Sequence, residues 1–128
     1  MTFIVAIDGA AGTGKGTIAR GISKEFNFSY FDTGIIYRGL AIKTISKYGK
    51  NFIKQDAISE ANIFDINSVN ENEIRNPLID KYSSIIASIP EVRNIVVNIQ
   101  RNFCEKPRGK KGIVVDGRDI GTIIFPNA

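Results

Sequence analysis

The sequence predicts an α/β fold, a parallel sheet flanked by helices, and three observations lead there. The strand-like segments are apolar throughout rather than alternating, as strands covered on both faces are. Helical patterns fall between them. The first strand runs directly into a glycine-rich turn that opens a helix. The 128 residues suit one compact domain, and 43% hydrophobic with 23% charged residues is an ordinary globular balance. No apolar run approaches the roughly 20 residues of a membrane span. The stretch Phe3 to Ile7 is too short for a signal peptide and lacks a basic lead. A cytoplasmic location and no membrane partner are therefore expected.

Phe3 to Asp8 reads as a buried strand of Ile, Val and Ala. A helix follows from about Gly16, with Ile18, Ile22 and Phe26 on one face. Phe28 to Asp32 reads as a second strand, and a second helix runs from Gly34 to Tyr48 with Gly49 as its stop. Asp56 caps a short helix through Ala61. The asparagine-rich stretch from Ile63 to Glu73 reads as loop, with a vestigial strand at Phe64 to Ile66. Asn76-Pro77 is a cap with proline at the first helical position, followed by a stripe of Leu78, Tyr82, Ile85, Ile86 and Ile89. Pro90 restarts a helix whose Val92, Ile95, Val96, Ile99 and Phe103 share one face. Arg93 and Gln100, seven residues apart, are expected together on its flank. A basic loop spans Glu105 to Gly112, Ile113 to Val115 is an apolar strand ending in Asp116, and Thr122 to Phe125 reads as another.

Composition narrows the chemistry. The single cysteine, Cys104, excludes an internal disulfide, and with no histidine zinc lacks plausible ligands. Absent histidine also removes the usual general base and every serine–histidine triad. What remains is Lys, Arg, Asp and backbone amides, an inventory suited to phosphoryl transfer. The net charge of +4 attracts anionic partners, although the run Lys106 to Lys111 also reads as a solvated basic loop. A nucleic-acid-binding module would interleave aromatic with basic residues on one strand face, and no such pattern exists.

Three constellations carry chemistry. Gly9-Ala10-Ala11-Gly12-Thr13-Gly14-Lys15 fits G-x-x-x-x-G-K between a buried strand and an amphipathic helix. Its glycines let successive N–H groups turn inward around a phosphate, and the helix N-terminus adds partial positive charge. Lys15 reaches the β- and γ-phosphates of a bound nucleotide. Gly16 stands where a magnesium-binding Ser or Thr ordinarily follows the lysine, and Thr17 supplies the hydroxyl one residue later. This arrangement resembles the G-K-G-T of adenylate-kinase-type nucleoside-monophosphate kinases and implies contact with the α-phosphate. The second is Asp32-Thr33-Gly34-Ile35-Ile36-Tyr37-Arg38, a helix N-terminus with a guanidinium one turn in. It reads either as a second anion site or as a plain helix cap. The third is Asp116-Gly117-Arg118-Asp119-Ile120-Gly121, at the carboxyl end of an apolar strand where parallel sheets collect ligands. Asp116 is placed to attend magnesium, through water, and Arg118 to bind phosphate. An acidic turn with an internal Arg–Asp pair is the alternative.

Together G-A-A-G-T-G-K-G-T, D-T-G-x-x-Y-R, the P-E-V-R helix and V-D-G-R-D-I-G-T-I-I-F-P resemble, in order and spacing, the bacterial cytidylate kinases. The resemblance covers nearly the whole chain. It implies a P-loop NTPase-type parallel sheet flanked by helices, with core residues 1–38 and 96–128 and a mostly helical monophosphate-binding insert over 39–95. It implies transfer of the ATP γ-phosphate to CMP or dCMP, with Mg2+ as cofactor and no nucleic-acid partner, by a protein that is a monomer when complete. Gly9, Ala10, Ala11, Gly12, Thr13, Gly14, Lys15, Gly16 and Thr17 would hold ATP, and Lys15, Arg38 and Arg118 would be the catalytic cations. Thr33, Arg38 and Arg118 would grip the CMP phosphate, with Tyr37 lining that site. Ser84, Arg93 and Asp119 would hydrogen-bond the cytosine ring, a carboxylate and a guanidinium matching its donor–acceptor edge. Ser84 also reads as an ordinary helix-surface serine, and Arg93 as a solvated arginine.

The sequence departs from the family in two respects. The insert between Arg38 and Arg93 is shorter than usual. The strand, arginine-bearing lid helix and ribose- and adenine-holding residues that the family carries after this point are not in these 128 residues, so sheet and lid are expected to be incomplete. A lid arginine is worth roughly 10³-fold or more in rate. The rival expectations are a non-catalytic nucleotide-binding fragment and a P-loop kinase for another small molecule.

Overall fold

A computed structural model describes residues 3–9, 14–69, 76–105, 109–117, 120–126 and 128, without the side chains of Lys15, Thr122 and Ile123. Among them lie three strands and five α-helices: β1 (Phe3–Asp8), α1 (Lys15–Phe26), β2 (Ser29–Asp32), α2 (Gly34–Tyr48), α3 (Lys54–Asn62), α4 (Pro77–Ala87), α5 (Pro90–Glu105) and β3 (Gly112–Gly117). The chain divides into two compact units, one of Met1–Thr33 with Ile99–Ala128, the other Gly34–Asn98.

In the first unit the strands form a parallel sheet of order β1-β3-β2. The strand latest in sequence is central, and all six of its residues are buried, which is why its run is apolar without alternation. It extends beyond the expected strand, Ile113 to Val115 ending in Asp116, by Gly112 at one end and Gly117 at the other. Gly112 has a packing reason: the Phe28 ring stands 2.8 Å from where its Cβ would be.

The buried face of α1 differs from the expected stripe. Ile18 and Phe26 are 57% and 63% exposed, whereas Ala19 is fully buried. A methyl side chain lets the helix approach the sheet closely, and closeness outweighs bulk at this contact. Asn27 ends the helix with φ 54°, its N–H reaching Lys24 O and Ser23 O. The expected strand over Thr122 to Phe125 is instead a π-helical turn, Ile120–Ile124. The Asp8 carboxylate accepts from the N–H groups of Ile120 (2.6 Å) and Gly121 (3.0 Å), and Arg101 Nε donates to Ile124 O at 3.0 Å. These partners satisfy the turn's open ends, so β-branched propensity loses.

In the second unit α2 carries the core residues Ile36, Leu40 and Ala41, and Gly49 closes it with φ 81°. Gly39 admits Val69 and Phe64, whose atoms lie 2.8 and 2.9 Å from a Cβ built there. Asp56 is not the cap of α3. It sits at the third helical position and accepts from Ile53 N at 3.0 Å, half of a capping box. The expected vestigial strand at Phe64 to Ile66 gives way to a 3₁₀ turn, Ile66–Ser68, because the Asp65 side chain accepts from Asn67 N at 2.9 Å. Asn76 caps α4 through Leu78 N at 2.8 Å with Pro77 in the first turn. Its buried residues are Ile79 and Ile86; of the expected stripe Ile86 and the following Ile89 are buried, whereas Leu78 and Ile85 are exposed. Along α5 the fully buried line is Val92, Val96, Gln100 and Cys104. Gln100 is buried whereas Arg93, seven residues back, is exposed. No described helix is long and apolar enough to cross a membrane.

Candidate functional site

In the first unit three chain segments meet at the carboxyl ends of the strands. Gly9, leaving β1, donates its N–H to Gly117 O at 3.2 Å. Thr33, leaving β2, donates both its N–H (2.9 Å) and its hydroxyl (3.0 Å) to the carbonyl of Asp116 at the end of β3. The junction is tight, since a Cβ on Gly117 would collide with the Thr33 hydroxyl. Ala10, Ala11, Gly12 and Thr13 lie outside the described residues. The chain resumes at Gly14 in the left-handed region, φ 80°, where glycine is at ease, and α1 starts at Lys15. No side chain caps α1, no acid occupies its first turn, and Ile18 N reaches back to Gly14 O at 3.2 Å. Among the described residues, α1 itself therefore supplies no side chain that offsets the positive end of its dipole. Gly16 is half-buried and Thr17 exposed.

Asp116 stands beside that first turn. A Cβ on Gly16 would lie 3.5 Å from Asp116 Oδ2 and 3.4 Å from the guanidinium of Arg20. Asp116 is only 2% exposed, and Tyr30 donates its hydroxyl to Oδ2 at 2.8 Å. Burial, then the hydrogen bond and charge of Asp116, push the Tyr30 phenol well above its ordinary value. Asp116 therefore has its main chain held by Thr33 and its carboxylate by Tyr30, both from the neighbouring strand segment.

In the second unit, Arg38 projects from α2 and its Nε pairs with Asp80 Oδ1 of α4 at 3.2 Å, the two side chains being 35% and 60% exposed. Ser84 is exposed and donates its hydroxyl to the Asp80 carbonyl one turn back at 3.0 Å. Asp80 thus links two of the residues singled out from sequence. Tyr37 is half-buried on α2, and Arg93 is exposed on α5. Arg118 and Asp119 lie outside the described residues.

Three contributors escaped the sequence reading: Asp8, Tyr30 and Asp80. Asp8 offered a signal, being a strand-terminal acid just before a glycine turn, as Asp116 is. Tyr30 and Asp80 offered none, because each acts on a partner far along the chain, 86 residues away for Tyr30 and 42 for Asp80. Among the described residues no group of three or more His, Cys, Asp or Glu side chains could hold a metal by itself.

Known proteins bear on these motifs directly. The family model for cytidylate kinase matches residues 5–128. A cytidylate kinase of Fusobacterium nucleatum is 44% identical over 98% of this chain and 60% of its own length. That of Bartonella bacilliformis is 41% identical over 98% of this chain and 57% of its own, and that of Acidiphilium cryptum 38% over the same shares. The chain spans 57–60% of the length of these curated relatives. With the family match running through the glycine turn, the Asp32 to Arg38 segment and the Asp116 strand, the chain belongs to the cytidylate kinase family.

Proposed function

We infer that this chain forms the phosphate-gripping part of a kinase that moves the γ-phosphoryl group of ATP to CMP or dCMP, giving ADP and the nucleoside diphosphate. The observation that carries the reading is the buried Asp116 carboxylate beside an uncapped helix start that follows a glycine turn. That pairing provides amide donors and a carboxylate at one point, as a metal–nucleotide phosphate group requires.

In this reading the core is residues 1–38 with 96–128, and 39–95 form the monophosphate-binding insert. The amides of Gly9 to Thr17 surround the ATP phosphates, Lys15 reaching the β- and γ-oxygens and Thr17 the α-phosphate. Thr33, Arg38 and Arg118 hold the acceptor phosphate, and Tyr37 lines its pocket. The Thr33 hydroxyl proton points at Asp116 O, so its contact with phosphate requires the hydroxyl to turn. The Arg38 pair with Asp80 engages Nε and leaves the terminal nitrogens as the edge for phosphate. Ser84, Arg93 and Asp119 read the cytosine edge.

A carboxylate such as that of Asp116 suits Mg2+, which keeps most of its water and binds phosphate oxygens. Asp116 would hold it through water, and the ion would neutralise charge on the β- and γ-phosphates. The acceptor oxygen belongs to an already ionised phosphate, so no general base is needed, in keeping with a chain without histidine. The bond from γ-phosphorus to the bridging oxygen breaks, and one to the CMP phosphate oxygen forms. Lys15, Arg38 and Arg118 would keep donor and acceptor in line. The protein acts as a cytoplasmic monomer without nucleic-acid partners.

A second reading of these 128 residues is nucleotide binding without turnover. Coupled ADP release with CMP, dCMP, UMP and AMP as acceptors separates the two. CMP- and dCMP-dependent release supports the kinase, release with another acceptor reassigns the substrate, and binding without release supports the second reading.

A further inference from the structure

We propose that Tyr30 is a positioning residue whose phenol fixes the orientation of the Asp116 carboxylate beside the first turn of α1. The inference rests on the nucleotide-binding reading above and deepens it. The oxygen that accepts from Tyr30, Oδ2, is also the one 3.5 Å from the Cβ position of Gly16. The phenol therefore selects which carboxylate oxygen is turned toward the helix start. Gly16 brings no side-chain oxygen to that point, so the setting of Asp116 decides how an acid meets a metal–phosphate group there.

Two of the contacts that hold Asp116, at different levels, come from the β2 side. Thr33 fixes the Asp116 main chain by two hydrogen bonds to its carbonyl, and Tyr30 fixes the side chain. Register explains why one strand does both: Asp32 pairs with Asp116 and Tyr30 with Val114, so Tyr30 lies two residues back on the same side of its strand as Asp32. A hydroxyl donating to a carboxylate is among the stronger hydrogen bonds, and half-burial of Tyr30 limits exchange with water. Groups that orient a metal-facing side chain typically change metal affinity about 10- to 100-fold when removed.

The test compares ATP binding by calorimetry in EDTA and in Mg2+, for the parent chain, Tyr30→Phe, Asp116→Asn and the double variant. Phenylalanine keeps the ring and removes only the hydroxyl. The expected result is unchanged metal-free ATP affinity in Tyr30→Phe, with the affinity gained on adding Mg2+ reduced about tenfold. Asp116→Asn should lose the same gain, and the double variant should be no worse than Asp116→Asn alone. Tyr30→Phe retaining the full Mg2+ gain, losing affinity equally in both buffers, or adding to Asp116→Asn overturns the proposal. A parent chain that binds ATP in neither buffer overturns the nucleotide-binding reading, and this inference with it.

Discussion

The two units hold their candidate groups by opposite means. In the unit of Met1–Thr33 and Ile99–Ala128, Asp116 is 2% exposed, with main chain and carboxylate both hydrogen-bonded from an adjacent strand segment. In the unit of Gly34–Asn98, Arg38 is steered by a solvent-exposed ion pair, and Ser84 and Arg93 lie on exposed helix surface. Buried hydrogen bonds are costly to break and set one geometry, whereas exposed pairs are weak and readily exchanged. Under the proposed kinase reading, the first arrangement suits phosphate chemistry that is the same in every turnover. Under the same reading, the second suits a surface that rearranges around an incoming nucleotide.

That contrast is open to breaking by substitution, and the largest effect should come from Gly117→Ala. Its new methyl group meets the Thr33 hydroxyl at a site 5% exposed, so overpacking should cost about 1–3 kcal/mol in chemical denaturation. Thr33→Val should cost about 1 kcal/mol by removing one buried hydrogen bond, with Thr33 N still serving the Asp116 carbonyl. Loss of less than about 0.3 kcal/mol in both would show the junction to be soft.

Alkaline pH sharpens the comparison further. The Tyr30 phenol is raised in the folded chain by burial and by Asp116. A raised folded value means that this stabilisation is complete below the unfolded phenol value near 10 and is lost as pH rises beyond it. The parent should therefore lose stability more steeply above about pH 10 than Tyr30→Phe does, as denaturant midpoints across that range would reveal. Coincident slopes would contradict it.

The smallest effect on folding is expected from Asp80→Asn. An exposed pair contributes about 0–1 kcal/mol, so thermal stability should barely move. CMP affinity should nevertheless fall severalfold as Arg38 loses its steering partner, with ATP affinity unchanged. A large loss of stability would mean that the second unit is built like the first.

How legible each unit was in the sequence follows the same division. Strands β1 and β3 and the turns at Gly49 and Asn76-Pro77 were readable because local chemistry determines them. The π turn at Ile120–Ile124 was not, since its stabilising carboxylate, Asp8, lies 112 residues earlier. Periodicity placed α1 correctly but passed over Ala19, whose small side chain is buried while the bulkier Ile18 and Phe26 are exposed. Among site residues, the motif members stood out by spacing. Tyr30 and Asp80 became visible only when folding brought them to Asp116 and Arg38.

Titration calorimetry of ATP into the parent chain and Lys15→Ala, in matched buffers, tests the central claim most directly. If the amides from Gly9 to Thr17 and the Lys15 ammonium hold the phosphate tail, the parent should bind saturably. The variant should then be weaker by roughly 10- to 100-fold, as for loss of a charged hydrogen-bonding partner. Indistinguishable isotherms for the two proteins would contradict the account.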